Sequence, residues 1–65
     1  MDRKYFYASS LRLTRFLYAL GFDYAKEDIF DRNGNQRWRF DYSDELAEAY
    51  EWFKYMRVKV RNTQM

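Results

Sequence analysis

The chain has 65 residues, with 12 basic and 10 acidic side chains and a net charge of +2, so we expect a single domain, residues 1–65, without the basic excess of a protein that coats nucleic acid. It contains neither cysteine nor histidine, which excludes disulfides and the usual zinc and transition-metal ligand sets. No apolar run approaches the roughly 20 residues of a membrane span and no signal peptide is recognisable, so we expect a cytoplasmic chain with no cofactor, no metal and no membrane association.

The first two predicted elements are a short strand and a helix. The stretch at about residues 5–8 is aromatic and lies between charged residues and serines, which is typical of a strand. Ser9 or Ser10 can cap a helix at about residues 11–20, where apolar side chains recur at helical spacing. Gly21 follows as a C-cap that can adopt a positive φ.

Residues 25–42 are predicted to form a hairpin around Asn33-Gly34, because this dipeptide suits a two-residue type I′ turn. The turn at residues 33–34 also places Glu27 opposite Phe40 on the apolar face, so a three-residue loop with a bulge stays open as the alternative. The pairs predicted by the two-residue turn include Ile29–Trp38, Asp28–Arg39 and Lys26–Asp41.

The last predicted element is a helix at about residues 44–60, which Ser43 can cap. Its acidic residues come first and its basic residues last, an order that suits the helix dipole. Residues 57–61 also alternate as a strand does, so their structure stays open. The apolar stripe of this helix comprises Leu46, Ala49, Tyr50, Phe53, Met56 and Val60.

These elements predict an α+β domain with the order β-α-β-β-α. If the first strand pairs with the third, the sheet is three-stranded and antiparallel with the order 1-3-2, and both helices pack on one face. Alternation along the third strand then turns Trp38, Phe40 and Tyr42 towards the core.

Four motifs follow one another along the chain: Tyr5-Phe6-Tyr7-Ala8-Ser9, the Leu13–Leu20 stripe with Gly21-Phe22, Trp38-Arg39-Phe40, and Asp44-Glu45-Leu46 with Ala49 and Tyr50. In this order they resemble a family of small uncharacterised proteins, a domain of unknown function, from Gram-positive bacteria and their phages or mobile elements. The resemblance covers about residues 5–53 and implies a bacterial or phage origin and an accessory role, with no activity or site residue. The basic end beyond Tyr55 lies outside the pattern.

Catalysis is the least favoured class of function. The most common general base and the common thiol nucleophile are absent with histidine and cysteine, so no catalytic residue is assigned and we do not expect an enzyme. The remaining carboxylate pairs, Asp28 with Asp31 and Glu48 with Glu51, are interpreted as salt-bridged or solvated charges.

Protein association is the preferred function. Aromatic residues make up 23% of the chain, more than a domain of this size can bury, and aromatic side chains favour interfaces. Trp52 and Tyr55 lie off the apolar stripe of the last helix, and Tyr5 and Tyr7 lie on a strand expected at the sheet edge. We therefore expect a homodimer or a host or phage protein as partner.

Binding of nucleic acid or of a nucleotide phosphate is the alternative. The N-terminus of the first helix can hold a phosphate, and basic residues interleaved with aromatics near the end of the last helix suit a single strand. The candidate contacts are Lys4, Ser9, Ser10, Arg12, Lys54, Arg57, Lys59 and Arg61.

Overall fold

The computed structural model describes residues 4–63 and confirms the α+β fold with the order β-α-β-β-α. The three strands form an antiparallel sheet with the order β1-β3-β2, so β3 is central and β1 is an edge. Both helices pack on one face of this sheet. The elements are β1 (Tyr5–Ala8), α1 (Leu11–Ala19), β2 (Ile29–Phe30), β3 (Gln36–Asp41) and α2 (Asp44–Thr63).

The core lies between the sheet and the helices and is centred on Phe40 of β3, which is 1% exposed. Alternation along β3 turns Trp38 and Phe40 to the helices, as predicted, and Trp38 is half-buried. The rings of Phe6 and Tyr24 lie 6.4 and 5.6 Å from that of Phe40. The other fully or nearly fully buried apolar side chains are Ala8, Leu13, Leu17 and Leu46.

Serine caps begin both helices where the sequence predicts them. The hydroxyl of Ser10 accepts the N–H of Leu13 at 3.2 Å, and that of Ser43 accepts the N–H of Leu46 at 3.1 Å. Helix α1 ends in a Schellman motif at Gly21, whose φ is +109°. In this motif the N–H of Phe22 donates to the carbonyl of Leu17 at 3.0 Å.

The two-residue turn predicted at residues 33–34 is wrong, and the three-residue alternative is correct. The N–H of Asp31 donates to Asn35 O at 2.8 Å, so Arg32, Asn33 and Gly34 form the loop. The Asp31 carboxylate accepts the N–H groups of Asn33 and Asn35, each at 2.9 Å. In a two-residue turn Asn35 would pair with Arg32, and the Asp31 carboxylate would not accept both N–H groups. Within this loop Gly34 has a positive φ, +83°, and Asn33 does not.

The longer loop moves the strand register by one residue, so the predicted pairs Ile29–Trp38, Asp28–Arg39 and Lys26–Asp41 are wrong. Ile29 pairs with Arg37 instead. Regular pairing then stops, and Tyr24 bridges Phe40 with two extra residues in the first strand between these pairs. This bulge places Glu27, and not Asp28, against Arg39, with Oε1 2.8 Å from Nη2.

Helix α2 includes residues 57–61, so the strand alternative for them is wrong, and the helix continues beyond the predicted Val60 to Thr63. Two side chains expected in the core are exposed. Val60 is exposed because the sheet does not extend under this end of α2. Tyr42 is 43% exposed, since it follows β3 and links it to α2.

We expect the loop variants Gly34→Ala and Asn33→Ala to differ in stability. Gly34→Ala should lower the free energy of unfolding by about 1–2 kcal/mol, because a residue with a Cβ is strained at a φ of +83°. Outside residues 33–35, no atom lies within 4 Å of the new Cβ, so the loss reflects backbone strain alone. Asn33→Ala should change it by less than about 0.5 kcal/mol. Urea denaturation measures both; equal losses would favour the two-residue turn.

Candidate protein and phosphate interaction surfaces

Helix α2 carries a row of exposed side chains on its side away from the sheet, partly along its border with α1. Its members recur at alternating spacings of three and four residues, so they follow one line along the helix. Two large aromatics lie at the middle, with carboxylates towards the N-terminus and an ammonium group towards the C-terminus. We call this row the α2 stripe; it comprises Glu45, Glu48, Trp52, Tyr55, Lys59 and Asn62.

The aromatic centre of the α2 stripe combines one anchored ring and one open ring. Trp52 stacks on Phe16 of α1, with 6.4 Å between centroids and 9° between planes, yet it is 55% exposed. Tyr55 is 61% exposed, and Lys59 Nζ lies 5.8 Å from its ring centroid. Exposure of two large neighbouring rings is unusual for a helix in a small domain and is typical of an interaction surface.

The predicted edge strand β1 is also open to solvent on the face away from the helices. Tyr5 and Tyr7 are both exposed there. The Arg39 guanidinium lies 4.8 Å from the Tyr5 ring and also pairs with Glu27, so Tyr5 already has partners within the chain. Tyr7 and the outer backbone edge of β1 are therefore the more open part of this surface.

Two predicted phosphate-binding regions that are far apart in sequence meet in one open groove. Helix α1 runs antiparallel to α2, which brings Arg12 beside Arg57 and Arg61. Within residues 4–63, none of these three arginines forms an ion pair with a carboxylate. We call this site the arginine groove; it has a volume of about 320 Å³ and is lined by Arg12, Phe16, Phe53, Met56, Arg57, Val60 and Arg61.

The other predicted phosphate contacts are not part of the arginine groove. The Ser10 hydroxyl is occupied as the α1 cap, and Lys4 lies at the opposite end of β1 from Ser9, about 16 Å away for an extended chain. Lys54 pairs with Glu51 at 2.9 Å, and this hydrogen bond raises the pKa of Lys54. Lys59 lies on the α2 stripe.

Asp31, one of the carboxylates considered above for catalysis, has a structural role in the hairpin loop. The N–H of Asn35, then that of Asn33 and the charge of Arg37, lower its pKa from the ordinary 3.8. Arg37 Nη2 lies 2.7 Å from Asp31 Oδ2. These partners stabilise the ionised carboxylate, which therefore serves as an acceptor for the loop.

The side chains of Phe16 and Met56 form the apolar floor of the arginine groove, which the sequence did not predict. The two residues are 40 positions apart and meet only because the helices pack side by side. Sequence reasoning also missed the α2 stripe as a unit, although the three- and four-residue spacing of Glu48, Trp52, Tyr55 and Lys59 is visible in the sequence.

Comparisons with protein-family models, with curated proteins and with solved structures found no match to this chain. The family resemblance therefore stays a prediction from the sequence.

Within residues 4–63, no group of three or more acidic, histidine or cysteine side chains is arranged to hold a metal ion. In the same part of the chain, no helix is both long enough and apolar enough to cross a membrane.

Alanine substitutions of the two stripe aromatics should separate folding from binding. Tyr55→Ala should change the free energy of unfolding by less than about 0.5 kcal/mol, since the ring contacts little of the fold. Trp52→Ala should cost about 1 kcal/mol through loss of the stack on Phe16. Urea denaturation at low protein concentration, where association does not contribute, measures both. A loss for Tyr55→Ala as large as that for Trp52→Ala would contradict this picture.

Proposed function

We propose that this chain is a small, non-enzymatic accessory module that acts by protein association through the α2 stripe. The observation that supports this most directly is the exposure of Trp52 and Tyr55, 55% and 61%, side by side on one helix face. Burial of each ring in an interface would contribute about 2 kcal/mol. Phe30 and Tyr18 are exposed to a similar extent, but they lie on separate elements, β2 and α1, whereas the two rings of the α2 stripe are neighbours on one helix.

We further propose a cytoplasmic location and a bacterial or phage origin. The absence of cysteine suits a reducing compartment, since no disulfide is needed for this fold. The origin rests on the family resemblance alone. Neither proposal is required for association through the α2 stripe.

Site-specific photo-crosslinking in the native host tests association. A benzoylphenylalanine at position 55 should crosslink to protein, whereas the same group at position 30 should not. Phe30 is a matched control, because it is also aromatic and is 59% exposed against 61% for Tyr55. Equal crosslinking from both positions, or none from position 55, would contradict a role for the α2 stripe.

A second candidate function is the binding of a phosphate-bearing strand or nucleotide in the arginine groove. Two observations favour it: Arg12, Arg57 and Arg61 line the same groove, and none of them pairs with a carboxylate of the described residues. Guanidinium groups bind phosphate in bidentate fashion, and an apolar floor suits a base or sugar. Because such binding depends on attraction between charges, its affinity falls as salt is added.

Fluorescence anisotropy with a labelled single-stranded oligonucleotide tests this second function. Wild-type affinity should fall with salt, and Arg57→Ala with Arg61→Ala should reduce the slope of the log–log plot by about 0.7 for each phosphate contact removed. The control is Arg32→Ala, which removes an exposed charge outside the groove and leaves Arg57 and Arg61 in place. Absence of binding at low salt, or the same loss per charge for Arg32→Ala, would remove this function.

A further inference from the structure

The charges of the α2 stripe are arranged so that the stripe complements a second copy of itself in the antiparallel direction. Glu45 and Glu48 precede the aromatic pair, and Lys59 follows it. None of the three forms an ion pair within residues 4–63. A parallel copy would place like charges together at both ends, whereas an antiparallel copy places each carboxylate end against an ammonium end.

We infer that two copies of this chain associate through an antiparallel pairing of their α2 stripes, with a two-fold axis between Trp52 and Tyr55. This inference rests on the proposed function, since it names the partner of the α2 stripe. In this pairing Trp52 packs against Tyr55 of the second copy. Glu48 lies four residues before Trp52 and Lys59 four residues after Tyr55, so Glu48 faces Lys59 of the second copy.

The symmetry of this arrangement makes the interface self-limiting. Each contact occurs twice about the two-fold axis, so the pairing closes as a dimer and leaves no complementary surface for further addition. The three- and four-residue spacing matches that of helices that pack at a shallow angle. The stripe lies away from the sheet, and although Phe16 of α1 stacks on Trp52, both stripe aromatics remain more than half exposed to a second copy.

The rest of α2 supports the same direction of pairing. Its N-terminal half carries Asp44, Glu45, Glu48 and Glu51, and its C-terminal half carries Lys54, Arg57, Lys59 and Arg61. Longer-range attraction between opposite halves therefore adds to the direct pair between Glu48 and Lys59 of the second copy. A different partner would need basic residues opposite the acidic half of α2 and acidic residues opposite its basic half. A second copy in the antiparallel direction already presents this order.

Charge reversal provides the test, read out by sedimentation equilibrium over a range of concentrations. The wild-type mass should rise from monomer to dimer. Glu48→Lys alone and Lys59→Glu alone should each weaken dimerisation about tenfold or more, because each creates two like-charge contacts. Glu48→Lys combined with Lys59→Glu in one chain should recover it. A mixture of the two single variants should also recover it, as a heterodimer.

The matched control is Glu51→Lys combined with Lys54→Glu, which reverses a pair on the same helix outside the α2 stripe. It should weaken dimerisation much less than either single reversal at position 48 or 59, because these two charges contribute only long-range attraction, and far-UV circular dichroism should show that every variant is folded. A wild-type chain that stays monomeric, or a double reversal at positions 48 and 59 that does not recover, overturns the inference. If position 55 nevertheless crosslinks to another protein, the proposed function stands without self-association; if it crosslinks to nothing, both fail.

Discussion

The structure depends on the burial of Phe40 at the middle of the central strand. Its backbone pairs with Phe6 on one side and bridges Tyr24 on the other, so one residue joins both edges of the sheet. Its ring contacts the rings of the same two residues and lies beneath the helices. A chain of 65 residues without cysteine has no disulfide to hold it together, so aromatic packing at this point contributes a large share of its stability.

The dependence on one small core explains why α2 presents so much exposed surface. The helix has 20 residues and is therefore about 30 Å long, but its deeply packed side chains end near Phe53. Beyond that point the helix is supported by local factors, namely the basic residues near its C-terminus and the Glu51–Lys54 pair. Trp52 and Tyr55 lie where the helix leaves the core, so both rings remain more than half exposed.

The parts of the fold that follow from short-range chemistry were predictable from the sequence. Ser10 and Ser43 cap helices because their hydroxyls reach N–H groups only three residues away. The hairpin register was not predictable in the same way, since two turn chemistries compete at residues 31–35. Asn33-Gly34 favours one turn, and the Asp31 carboxylate, which binds two N–H groups at once, stabilises the other. The arginine groove depends on helix packing, which no local pattern specifies.

The charge order of α2 has consequences at two levels. Within one chain, acidic residues at the start and basic residues at the end stabilise the helix dipole. That order alone would be satisfied by charges on any side of the helix, so it does not explain why Glu48 and Lys59 share one line with Trp52 and Tyr55. The proposed pairing with a second copy would account for it, because only charges on that line would meet across the two-fold axis.

The two surfaces of α2 are also physically separable. Arg57 and Lys59 are two positions apart, which turns their side chains about 200° from one another around the helix. Arg57 consequently lines the groove against α1, whereas Lys59 lies on the exposed stripe. A dimer formed through the stripe therefore leaves the arginine groove of each copy open.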